Sequence, residues 1–222
     1  MKIGVTQIIL GDMSLDDTLA LCADAGYEAV ELTFTAEGKD LNIDMSVDEL
    51  SSVAGRCREA GVTIAAILGH YAERGNLLSR DGAEREACCR CLGRALEIAG
   101  TLGTEAVLLH PGQLSAAGTY AQAWDDLVGG LRDLAPVAAQ NQAAIAVENV
   151  WNKFLLSPRE AGQLVDEIGS EWVGIYLDTA NMMAYGFPEH WIRDLGQRIK
   201  KVHLKDFVRR GSSWVDLMDG DT

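Results

Sequence analysis

Seven short runs rich in β-branched and aliphatic residues recur along the chain, and each is followed by a longer amphipathic stretch. This alternation suits βα units, because a parallel strand can be reached only through a long crossover. The runs are IGVTQI (3–8), EAVELT (28–33), VTIAAIL (62–68), EAVLLH (105–110), AIAVEN (144–149), VGIYLD (173–178) and KVHLKD (201–206). Helix punctuation lies between them. Ser14 opens SLDDTLALCADAG and Gly26 closes it, Ser46 precedes VDELSSVAGRCREAG with Gly61 as its stop, and Ser157-Pro158 precedes REAGQLVDEIG. No linker or change of composition interrupts the pattern, so residues 1–222 are expected to form one domain.

Such units build either an open doubly wound sheet or a closed barrel. In the open sheet, ligand-binding residues cluster at one switch point. Here nearly every strand ends in something chemical: Glu31 ends the second run, His70 follows the third, His110 ends the fourth, Glu148 the fifth and Asp178 the sixth, while His203 lies in the seventh. Residues at the carboxyl ends of successive barrel strands converge on one mouth. No GxGxxG follows the first run, so a dinucleotide fold lacks its usual support. The expected fold is therefore α/β, a (β/α)8 TIM barrel. Only residues 207–222 follow the seventh run, so the barrel is expected to be truncated before its eighth βα unit.

The bulk numbers narrow the function. Nineteen basic against 33 acidic residues leave a formal net charge of −14, a field that repels phosphate backbones and anionic membrane surfaces. Neither nucleic acid nor a membrane is expected as a partner. Five cysteines, three of them in ACCRC (Cys88, Cys89, Cys91), lack paired CxxC spacing and read as reduced thiols. MKIGVTQIIL lacks a long apolar core and a cleavage site, and no 18-residue apolar run occurs, which points to a cytoplasmic protein.

Glu148, Asp178 and His203 offer two carboxylates and an imidazole, a donor set suited to Mn²⁺, Mg²⁺, Co²⁺ or Zn²⁺. A divalent ion with open positions can chelate neighbouring oxygens of a hydroxy-ketone and acidify the C–H between them, and a nearby glutamate can shuttle the proton. Singly, each residue has an ordinary explanation. Glu148 could cap a helix or pair with a cation, Asp178 in LDTAN could cap a turn, and His203 between Val202 and Leu204 could be a core histidine. Three at the same end of consecutive strands favour a metal.

VENVWNKFLLSP, GIYLDTANMMAYGFPEHWI and RIKKVHLKDF closely resemble the sugar phosphate isomerase/epimerase family of xylose-isomerase-like TIM barrels, particularly hexulose-phosphate isomerases and L-xylulose 5-phosphate 3-epimerases. The likeness runs from the first strand to the last residue and is most specific across 145–207. It implies a metal-dependent epimerase or isomerase acting on a ketose or ketose phosphate through a cis-enediolate. In that family the glutamate after the fifth strand, the aspartate of LDxxN and the histidine of HLKD bind the metal; they fall on Glu148, Asp178 and His203, with Glu148 also catalytic. A fourth ligand, a glutamate on the eighth strand that serves as the second acid/base, has no counterpart, because LMDGDT resembles the loop before that strand. Two-base epimerisation is therefore not expected of these 222 residues alone.

Asn181 stands where related ketose epimerases often place a substrate-contacting histidine. Lys205 and Arg209 are positioned either to meet substrate oxygens or a phosphate, or to form a solvated basic turn. Glu31 either contacts substrate or braces the mouth. Family habit points to a homo-oligomer. The same clan contains AP endonucleases, for which His110 in LLHPG and His70 would speak; Asn181, where their motif has a zinc-binding histidine, and the charge of −14 speak against them. A catalytically incomplete barrel with exposed strand edges is a third reading.

Overall fold

The computed structural model describes residues 1–35, 40–69 and 76–222. Seven parallel strands form one sheet in chain order: β1 (Gly4–Thr6), β2 (Ala29–Phe34), β3 (Thr63–Gly69), β4 (Ala106–Leu109), β5 (Ala144–Glu148), β6 (Val173–Asp178) and β7 (Ile199–His203). The sheet curls as part of a barrel wall, with β1 and β7 as its two edges. Helices α1 (Leu15–Ala25), α2 (Val47–Glu59), α3 (Gly82–Leu102), α4 (Tyr120–Asn141), α5 (Pro158–Ile168) and α6 (Pro188–Leu195) fall between successive strands. The fold is the α/β barrel type expected; an eighth parallel strand does not occur among the described residues. No helix among them is long and apolar enough to cross a membrane.

The helix ends follow the punctuation. Ser14 accepts the amide N–H of Asp17, Ser46 and Glu49 form a reciprocal capping box, and Ser157 accepts the N–H of Glu160 ahead of Pro158. Gly26 and Gly169 close α1 and α5 in the left-handed conformation that a side chain would strain.

Side chains alternate across each strand, so the sheet carries two different faces. Outward-pointing Val107, Leu109, Ile145, Val147, Ile175 and Leu177 join the helices' buried aliphatics in one large cluster. Each fully buried residue of this kind contributes about 1.5–3 kcal/mol. Inward-pointing Ala66, Leu68, Ala106, Leu108, Ala146 and Tyr176 form a smaller cluster made of strand residues alone.

Two register shifts interrupt this alternation, between Val30 and Glu31 where β2 meets β3, and between Ile175 and Tyr176 where β6 meets β7. At the second, Ile175 pairs with Ile199 but Tyr176 with Lys201, leaving Lys200 as the extra residue. Gly174 permits the close approach, since a Cβ there would lie 2.5 Å from the Arg198 carbonyl oxygen.

Two strand ends differ from expectation. The first strand stops at Thr6, and Gln7–Leu10 form a short 3-10 turn. The buried Gln7 amide leaves the strand to accept the Thr33 N–H at 3.1 Å and donate to Asp40 at 2.6 Å. The seventh strand covers 199–203 rather than 201–206, and Asp206 begins an antiparallel hairpin, β8 (Asp206–Val208) with β9 (Ser213–Val215). The cause is the Asp206 carboxylate, which accepts the amides of Phe207, Met218, Gly220 and Thr222 at 2.8–3.1 Å and folds the segment after His203 back on itself.

Candidate active site

Strand periodicity places the polar side chains. Ala146 and Tyr176 point inward, so two residues further on Glu148 and Asp178 do as well, at the carboxyl ends of β5 and β6. Register sets Glu148 beside Tyr176 and Asp178 beside His203. One candidate ligand atom from each of Glu148, Asp178 and His203 lies within 4.8 Å of the others. Two oxygens bound about 2.1 Å from one ion are at most about 4.2 Å apart, so the widest separation needs only a small side-chain rotation.

Asp178, 2% exposed, reconciles its two sequence readings. Its Oδ1 accepts the amides of Ala180 (2.9 Å) and Asn181 (2.8 Å) as a turn cap, while Oδ2 faces the Lys205 ammonium at 3.8 Å. Asn149 clamps the strand end, accepting the Asp178 N–H at 2.9 Å and donating to its carbonyl at 3.1 Å. Asn181 donates in turn to the Asn149 carbonyl at 2.8 Å. The asparagines thus lock the aspartate's backbone.

The electrostatics favour a cation. Burial pushes the Asp178 carboxyl up, with Lys205 opposing and Glu148 adding to the rise. Burial alone would lower His203, but hydrogen bonds to Glu148 and Glu31 and the charges of both carboxylates outweigh it, raising the imidazole to about 10. His203 Nδ1 makes a long contact of 3.4 Å to Glu148, and Nε2 lies 2.9 Å from Glu31. Three inward carboxylates face His203 and Lys205, and a donor set of two carboxylates and an imidazole fits a hard or borderline divalent ion.

Lys205 Nζ also sits 3.4 Å from Asn181 Oδ1 and 3.9 Å above the Trp214 ring. Trp214, from β9, packs 4.9 Å from Trp151, and the two are 41% and 49% exposed. Trp151 Nε1 donates to the Asn181 carbonyl at 2.6 Å, which ties this aromatic wall to the site.

The remaining sequence-derived candidates fare differently. Arg209 spends its guanidinium on the carbonyls of Met183 and Gly186, both at 2.9 Å, above the Phe187 ring. His110 Nδ1 accepts the Gly112 amide at 3.1 Å at the end of β4. Glu31 is drawn into the cluster but is only 4% exposed. His70 lies outside the described residues. Sequence reasoning passed over Tyr176 and Trp214: Tyr176 reads as core within VGIYLD, although its spacing from Asp178 puts both on one face. A cleft of about 250 Å³ bounded by Glu105, Trp172 and Lys201 opens at the opposite, amino-terminal end of the sheet and is lined by none of these groups.

This barrel sheet with an acidic mouth defines a class. The family model described as the xylose isomerase-like TIM barrel matches residues 19–221, and the chain belongs to that family. It is 27% identical over 213 residues to SgbU of Escherichia coli K12, provisionally named an L-ribulose-5-phosphate 3-epimerase, covering 92% of this chain and 73% of that protein. It is 28% identical over 212 residues to the 2-epi-5-epi-valiolone 7-phosphate 2-epimerase of Actinoplanes sp., covering 92% and 72%. A solved L-ribulose 3-epimerase superposes with a TM-score of 0.81 at 21% identity, over 100% of this chain and 73% of that one.

Proposed function

We propose that the chain is a metal-dependent epimerase or isomerase of a ketose or ketose phosphate. The observation that carries this is the convergence of Glu148, Asp178 and His203 within 4.8 Å at the carboxyl ends of three neighbouring strands. The names of the relatives support it, since each is named as an epimerase, SgbU provisionally, and two of the names specify a phosphorylated substrate.

Glu148, Asp178 and His203 would hold Mn²⁺, Mg²⁺, Co²⁺ or Zn²⁺. Such an ion supplies Lewis acidity, polarising a ketose carbonyl and so acidifying the neighbouring C–H. Glu148 takes that proton as the general base, and the sugar passes through a cis-enediolate. Asn181 and Lys205 hold substrate oxygens; Lys205, steadied over Trp214, meets developing negative charge or a phosphate. His110 and Arg209 bound the substrate at the rim.

The test is solvent exchange. The chain is given Mn²⁺ and L-ribulose 5-phosphate in D₂O, and NMR follows deuterium entering C3. Metal-dependent exchange is the expected result; a chain that neither takes up metal nor exchanges deuterium rules the reading out.

A further inference from the structure

We infer that Glu31 is a positioning residue that fixes which nitrogen of His203 is offered to a metal ion, directing Nδ1 into the site. The inference rests on the metal site proposed above. Glu31 comes from β2 and His203 from β7, five places away in the sheet and 172 positions away in the chain, yet their side chains meet at 2.9 Å across the concave face. A carboxylate buried to 4% exposure is costly unless each oxygen finds a donor. Both do: Oε1 accepts the Tyr176 hydroxyl at 2.7 Å, and Oε2 faces His203 Nε2 at 2.9 Å.

Both ring nitrogens face a carboxylate, but the Nε2 contact at 2.9 Å is the close one and the Nδ1 contact at 3.4 Å is long, so a metal ion that makes the imidazole neutral takes the place of the Nδ1 proton. A carboxylate only accepts, so the proton in the close contact belongs to Nε2. A neutral imidazole that carries its proton on Nε2 has its lone pair on Nδ1. Nδ1 is the nitrogen on the Glu148 side of the ring, 3.4 Å from Oε1, and thus faces the donor set. Histidine ligands commonly donate their second N–H to a carboxylate, which sets ring orientation and strengthens the donor nitrogen. Tyr176 completes the arrangement by engaging the other Glu31 oxygen and packing its ring 4.4 Å from the imidazole. With one oxygen taken by the Tyr176 hydroxyl and the other by Nε2, Glu31 acts through His203.

Zinc is the probe. The chain has four histidines, so long-range ¹⁵N–¹H correlation of the zinc-loaded protein, with His203→Gln for assignment, reads the His203 tautomer directly. The expected result is a proton on Nε2 and zinc on Nδ1; a proton on Nδ1 overturns the inference, and this measurement needs no Glu31 variant to fold. In Glu31→Gln, zinc affinity measured against a chromophoric chelator should fall about 10- to 100-fold. Unchanged affinity in the folded variant, even with a lowered metal-free Tm, means that Glu31 only braces the sheet and overturns the inference. If the wild-type chain takes up no zinc, the functional reading fails and this one with it; if wild type and Glu31→Gln bind zinc equally well, this one fails alone.

Discussion

On the outer face of β6, Val173, Ile175 and Leu177 are buried in the large apolar cluster beneath the helices. On the inner face of the same strand, Gly174, Tyr176 and Asp178 each answer to a named partner: the Arg198 carbonyl that leaves no room for a Cβ, the Glu31 carboxylate, and the amides of Ala180 and Asn181. The outer residues act through buried area, which many side chains supply. The inner ones act through identity and geometry. One six-residue strand therefore serves stability on one side and chemistry on the other.

Substitutions on opposite faces should separate these roles. Glu148→Gln should have the largest effect, lowering metal-dependent deuterium exchange about 10²- to 10⁴-fold, as loss of a general base does, while the circular dichroism spectrum is unchanged. Leu177→Ala, one residue from the proposed ligand Asp178 but facing outward, should cost about 2–5 kcal/mol in urea unfolding and leave the metal Kd of the folded protein as it was. A change in both would blur the division between the faces.

A pH series probes the inner face alone. His203 binds its proton more tightly when folded, at about 10 against an ordinary 6.5, so its contribution to stability is full below about 6.5 and is lost as pH rises through 10. The metal-free wild type should lose more Tm between pH 7 and 10 than His203→Gln does. Asp178 works in the opposite sense: its raised carboxyl costs stability at neutral pH and returns it as pH falls.

The smallest expected effect concerns Asp206. Burial opposes its ionisation, but amides from Thr222, Gly220 and Phe207 prevail and hold the carboxyl near 2. Its contribution is present above the ordinary 3.8 and is lost as pH falls through about 2. Asp206→Asn should speed hydrogen exchange at Met218, Gly220 and Thr222 without altering exchange in β5 or β6.

Much of the plan was legible because periodicity is local. All seven parallel strands overlap the apolar runs that predict them, with the first and the seventh ending early, and the caps at Ser14, Ser46 and Ser157 open their helices. The meeting of Glu148, Asp178 and His203 followed from their shared place at strand ends. What escaped depends on distant partners. The β8–β9 hairpin forms because Asp206 captures amides 12 to 16 positions away, which no alternation of apolar residues encodes. Trp214 reaches Lys205 only through that hairpin. Glu31, expected at the end of its strand, lies third of the six residues of β2, because the pairing with β3 runs on to Phe34, and its partners lie 145 and 172 positions downstream.

That last separation bears on how the protein is made. Closing a loop of 172 residues carries an entropic cost that must be met before the Glu31–His203 contact can return anything. During synthesis the first six strands emerge before His203 does, so the mouth is among the last features assembled. A cation held at the proposed site would act as a latch on a sheet already formed rather than as a seed for it.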